Sequence, residues 1–219
     1  MHKILVIVAH PDDEVLGCGA TIAKYTNDGN IAQVVFLADG HGSRDAVTED
    51  REFSAIEASN ILGCNAPIFL KFPDNKLDSI PLLEIVKQIE VVVNNFQPDI
   101  IFSHYFGDLN IDHRITHRAV MTACRPQPGF CVREIYSFEV LSATHWQSIS
   151  MGNAFNPNYF VDISNFLDRK ARALQSYKKE IRGFPHSRSY ETINYLEKLR
   201  GSLVGISSAE AFQIERIIK

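Results

Sequence analysis

Four short apolar runs alternate with stretches of helical spacing through the first half of the chain, and this alternation restricts the fold more than any other feature. The runs are Lys3 to Ala9, "IAQVVFLA" at 31–38, "PIFLKF" at 67–72 and "PDIIFSH" at 98–104. Between them stand "TIAKYTNDGN", which closes at Gly29, then "REFSAIEASNILG" and "PLLEIVKQIEVVVNNF". Their apolar residues recur with helical period. Each run is continuously apolar, as a strand covered on both faces must be, and strands of that kind joined by helices build a parallel sheet. The expected fold is α/β, a mostly parallel sheet with helices on both faces.

The last third reads as strands at "REIYSFEVL" and "NYFVDI" and helices at "FLDRKARALQSYKKEI" and "ETINYLEKLRGSL". No linker rich in Pro, Gly or Ser and no internal repeat interrupts the chain, so 1–219 is expected to form a single domain. With 22 Lys and Arg against 26 Asp and Glu, the net charge of −4 supplies no basic excess for nucleic acid or an anionic membrane. The partner is expected to be small or neutral. Cys18, Cys64, Cys124 and Cys131 show no Cys-x-x-Cys spacing, which fits free thiols in a reducing compartment. The apolar start of "MHKILVIVA" is too short for a signal segment or a membrane span, so the expected location is the cytoplasm.

In an open parallel sheet, ligands bind beyond the carboxyl ends of the strands. There the sequence places "HPDDE", "DGHGSR", "FPDNKLD" and "HYFGDLNIDHRITH", after strands one to four. The run Asp12, Asp13 and Glu14 crowds like charges that a cation would compensate. His10 and Asp13, two residues apart on a strand-to-helix turn, can face one point, and imidazole with carboxylate suits zinc. A third donor is available from Asp112-His113 or from His117, one helical turn on. The competing reading makes the acids a helix N-terminal cluster with His10 as cap. Two such clusters at the ends of different strands instead favour a composite catalytic site. Asp12 would then take a proton from a metal-activated water as general base, and Asp112 would orient a neighbouring side chain. That chemistry is hydrolysis of a polarised carbonyl.

At these residues the chain resembles the zinc-dependent sugar N-deacetylases that include the PIG-L and LmbE-like enzymes. The resemblance rests on the Ala-His-Pro-Asp-Asp-Glu run at Ala9 to Glu14 and the later Asp112-His113 pair, with Leu62-Gly63 and Pro73-Asp74 between them. It implies a Rossmann-like, LmbE-like fold, zinc held by His10, Asp13 and His113, and Asp12 as general base. It further implies a small N-acetylated sugar as substrate, touched by Arg51 and Asp74, and a tendency to form homo-oligomers. One position departs from the family pattern: Asn110 stands where many members carry a histidine that polarises the acyl oxygen or protonates the leaving amine.

Asn110 cannot carry a proton, but it can donate a hydrogen bond to an oxyanion. His186, in a loop without periodicity, is the candidate for the missing acid. Arg44 and Arg188 are candidate phosphate or sugar contacts, with surface ion pairs as the alternative. His41 reads as a loop histidine, and Trp146 and Phe155 as core residues, although aromatic rings also serve as sugar platforms. The expected function is a zinc hydrolase that removes acetyl from an N-acetyl amino sugar, either a nucleotide sugar or a precursor of a glycan or metabolite. The rivals are an amidase of a non-sugar N-acyl compound and an inactive sugar- or metal-binding protein. Asp12 argues against the latter, because binding alone needs no base.

Overall fold

Lys3–Val8 (β1) feeds two apolar layers at once: Ile4, Val6 and Val8 enter one and Leu5 and Ile7 the other, all fully buried. A strand with both faces covered has no polar side to show, which is why its run is continuous. The computed structural model describes residues 1–40, 51–148, 150 and 154–219. Within them follow Asp13–Asn27 (α1), Ile31–Ala38 (β2), Arg51–Leu62 (α2), Ile68–Phe72 (β3), Leu82–Phe96 (α3), Ile100–His104 (β4) and Ile111–Ala123 (α4). Glu134–Phe138 (β5), Tyr159–Asp162 (β6), Leu167–Ser176 (α5), Tyr190–Ser202 (α6) and Ala209–Ile217 (β7) complete the order.

The strands lie side by side as β3-β2-β1-β4-β5-β7-β6. β1 to β5 are mutually parallel, while β7 runs antiparallel to both neighbours. One layer is closed by apolar residues of α1, α2 and α5, the other by those of α3 and α4. The α/β fold with a mostly parallel sheet is therefore the one the alternation dictates. The chain winds outward from β1 to β3 and then returns to place β4 on the other side of β1. Strand order reverses there, and the crevice above β1 and β4 is where such a sheet binds ligands.

The sequence reading contains no counterpart of β7. Its Glu210 is buried, and it is stabilised by what it meets. α1 is interrupted at Cys18 (φ −147°, ψ 21°). The N–H groups of Ala20 and Thr21 donate to the Glu210 carboxylate at 3.0 and 2.7 Å. The buried Lys170 ammonium lies 2.8 Å from Glu210 and 2.8 Å from Glu197. One ion cluster thus joins α1, α5, α6 and β7. α1 also presses on the end of β5: a Cβ on Gly17 would lie 2.2 Å from the Phe138 ring, so only glycine fits. Cys18, Cys64, Cys124 and Cys131 are unpaired. Among the described residues, no helix is long and apolar enough to cross a membrane.

Candidate metal centre and active site

The turn from β1 into α1 carries backbone strain where the acids lie. Asp12 holds φ 114° and ψ −28°, a region that costs a residue with a Cβ free energy and persists only when its surroundings enforce it. Glu14 enforces it here: Glu14 Oε2 accepts the Asp12 N–H at 3.1 Å, and Tyr177 Oη donates to Glu14 Oε1 at 2.7 Å. Burial pushes the Glu14 carboxyl up to about 8, against the Tyr177 hydrogen bond, which lowers it. Asp12 occupies the N-cap position of α1, yet its side chain makes no capping bond. The acids do stand at the start of the helix, as the competing reading has it, but the Asp12 side chain is free of capping work.

Asp13 Oδ2 lies 3.3 Å from His10 Nδ1, 3.3 Å from His113 Nε2 and 3.4 Å from His104 Nε2. Its other oxygen, Oδ1, is buried without a hydrogen-bond partner. Burial alone would raise this carboxyl, but the His113 and His104 imidazoles hold it well below the usual carboxylate range. His10, Asp13 and His113 form a buried donor set whose ligand atoms lie within 4.8 Å of one another. Two donors each bound to one tetrahedral zinc at the usual lengths stand ~3.3 Å apart, so these separations and the N,N,O chemistry fit that ion.

The far side of each imidazole meets a carboxylate. His10 Nε2 is 3.1 Å from Asp112 Oδ2 and 3.1 Å from Asp74 Oδ1, and His113 Nδ1 is 3.1 Å from Asp108 Oδ2. Carboxylates placed so fix the tautomer and ring orientation of a metal-binding histidine. Asp112 is held in turn by the Leu77 N–H, at 3.1 Å to Oδ1. His104 differs from the other two. Its Nε2 accepts the Ala9 N–H at 2.9 Å, and its ring stacks on His113 with centroids 3.9 Å apart. Burial pushes this imidazole well below the usual histidine range. Its Nε2 lone pair is taken by the Ala9 N–H, and it stands outside the donor set.

Asp12 stands beside this set. Burial pushes its carboxyl up to about 7, opposed chiefly by Arg188, whose Nη1 lies 2.9 Å from Asp12 Oδ2. Ser142 Oγ accepts from Arg188 Nε at 2.7 Å and fixes the guanidinium. Arg51 pairs with Glu180 and feels the charges of Asp12 and Asp74. It leans against Gly40 (φ 70°), where a Cβ would be 2.8 Å from Arg51 Cδ.

The structure thus brings His10, Asp12, Asp13, Asp74, Asp112, His113 and Arg188 into one cluster, with Arg51 at its edge. Asn110 is the N-cap of α4, its Oδ1 accepting the Asp112 N–H at 2.8 Å. His186 Nδ1 accepts the Arg188 N–H at 3.0 Å. His117 is outside the donor set, its Nδ1 bonded to the His104 carbonyl at 2.9 Å. Arg44 and His41 lie outside the described residues. Trp146 corrects the core expectation: it is 56% exposed, because the turn that carries it is tied inward through the two preceding residues. Phe155 is half-buried against Tyr105 and beneath Arg200. His104 and Asp108 have no place in the sequence reading. Their only signal is position, at and just beyond the end of the fourth strand.

The sequence model of the PIG-L family, described as GlcNAc-PI de-N-acetylase, matches residues 5–124. The chain is 30% identical over 181 residues to "Uncharacterized deacetylase YaiS" of Escherichia coli, covering 80% of this chain and 90% of that one. It is 29% identical over 194 residues to the diacetylchitobiose deacetylase of Thermococcus kodakarensis, covering 81% and 70%. The crystal structure of the conserved protein TT1542 from Thermus thermophilus superposes over 100% of this chain and 97% of that one. Its TM-score is 0.81 at 25% identity.

Proposed function

The chain belongs to the PIG-L family, and from that premise we propose that it is a zinc-dependent hydrolase removing the acetyl group from an N-acetylated amino sugar. The observation that carries this reading is the pair of adjacent acids with different surroundings: Asp13 inside the donor set, Asp12 beside it and against Arg188. Two carboxylates pushed apart in this way divide the work between holding an ion and moving a proton.

His10, Asp13 and His113 would hold the zinc, which when bound would supply a Lewis acid for the acyl oxygen and for the attacking water. Asp12 takes the proton from that water, and Arg188 holds the ionised carboxylate in place until it does. Asn110 has its amide oxygen committed to Asp112, so its NH₂ is the end it offers to the oxygen that gains charge. His186 is the candidate acid for the leaving amine only once it gains a second proton, because with Nδ1 accepting from the Arg188 backbone its ring is neutral and donates a hydrogen bond rather than a proton. Asp12 returning its own proton is the alternative route. Asp112 orients His10, and Asp74 divides its carboxylate between His10 and the sugar. Arg51 contacts the sugar, while Arg44 keeps only its sequence argument.

The diacetylchitobiose deacetylase among the relatives supports an amino-sugar substrate, and unpaired cysteines support a cytoplasmic setting. Homo-oligomer formation is part of the same proposal, on family likeness alone. The test is acetate release, with the matching mass loss of one acetyl group. The substrates are N-acetylglucosamine, its β-1,4-linked disaccharide, nucleotide-linked N-acetyl sugars and non-sugar N-acetyl amines. Release from the sugars alone supports the proposal. Release from the simple amines alone transfers the chain to the amidase reading.

A further inference from the structure

The short 3-10 turn Thr144–Trp146 is bound to the site through its first residue and presents its last to solvent. Thr144 Oγ1 donates to Asp108 Oδ2 at 2.9 Å, the same oxygen that lies 3.1 Å from His113 Nδ1. His145 Nε2 lies 2.9 Å from Glu139, which Arg200 also grips with two bonds of 2.7 Å. A second, independent chain of contacts reaches Trp146. Its ring meets His186 edge to face, with centroids 5.6 Å apart; His186 accepts from the Arg188 backbone, and Arg188 binds Asp12. A large apolar ring that could be buried is instead 56% exposed, while contacts on both sides of it in the chain lead back to His113 and Asp12.

We propose that Trp146, braced by His186, is an outer binding surface for the second pyranose ring of a disaccharide substrate. This rests on the deacetylase reading above. Trp146 reaches Asp12 only through two further residues, His186 and Arg188, so the ring stacked on the indole is a different one from that whose amide reaches Asp12. A flat, partly polar aromatic suits the C–H face of a pyranose, whose hydroxyls stay in water at its edge. Rigid placement reduces the ordering cost of binding, which a flexible surface residue would pay in full.

Trp146 is the only tryptophan of the chain, so its fluorescence reports on this surface without any turnover. Titrating the protein with chitobiose, the fully deacetylated disaccharide, is expected to shift the emission to the blue, while glucosamine leaves it in place. In parallel, Trp146→Ala is expected to raise KM for the N-acetylated disaccharide about ten-fold more than KM for the monosaccharide, the scale of one aromatic contact. Acetate release from both sugars, with unmoved emission and an unchanged KM ratio, overturns the outer surface and leaves the deacetylase standing. A blue shift without acetate release from any sugar supports the surface and overturns the deacetylase. Silence in both overturns both.

Discussion

Arg188 Nη1 lies 2.9 Å from Asp12 Oδ2, so the acid next to the donor Asp13 is held by a cation that the far end of the chain delivers. A base must be ionised to accept a proton, and a neighbouring guanidinium favours the ionised form. Arg188→Gln removes that help, and Asp12 keeps its proton to higher pH. The acidic limb of kcat/KM therefore moves upward and activity at neutral pH falls, recovering in part as pH is raised. A pH profile whose acidic limb stays in place would detach Arg188 from the base.

The two histidines of α4 should behave oppositely. His113 is in the donor set, whereas His117 is bonded to the His104 carbonyl. Metal analysis of purified His113→Ala should show little zinc, and His117→Ala should keep it. The reverse pattern would move the third donor one helical turn along.

Asp108 links His113, the N–H of Asn110 and the turn that carries Trp146. Asp108→Asn retains shape and removes the charge behind the His113 ring, so zinc affinity should drop about 10- to 100-fold, as such supports usually contribute. Competition with a fluorescent chelator measures this, and native affinity would reduce Asp108 to a structural brace.

Lys170 is buried between Glu197 and Glu210. Lys170→Met leaves two buried carboxylates without their cation and should cost about 3–5 kcal/mol in denaturant unfolding. A loss below about 1 kcal/mol would mean that water enters the cluster and solvates the acids.

The cluster of His10, Asp12 and Asp13 is legible in sequence because the three sit together in one turn, where spacing alone brings them near one point. His113 is legible because a second polar loop ends the strand that an α/β sheet places next to the first. His104 is not: it matters because β4 pairs with β1, with Ile7 opposite Ser103, which brings its ring to the Ala9 N–H. β7 escapes reading because Glu210 in a strand suggests solvent, and only the distant Lys170 and the break in α1 make it a buried residue. Trp146 misleads in the opposite sense, since large aromatics usually fill cores and the ties of Thr144 and His145 leave no trace in composition.

In the proposed mechanism two adjacent acids divide the work, Asp13 for the ion and Asp12 for the proton. Zinc content and acetate release measured on the same preparation of Asp12→Asn test it most directly. The predicted result is a native complement of zinc with a rate lower by about two to four orders of magnitude, the usual scale of general-base catalysis. Zinc retained with near-native turnover, or zinc lost together with activity, would contradict it.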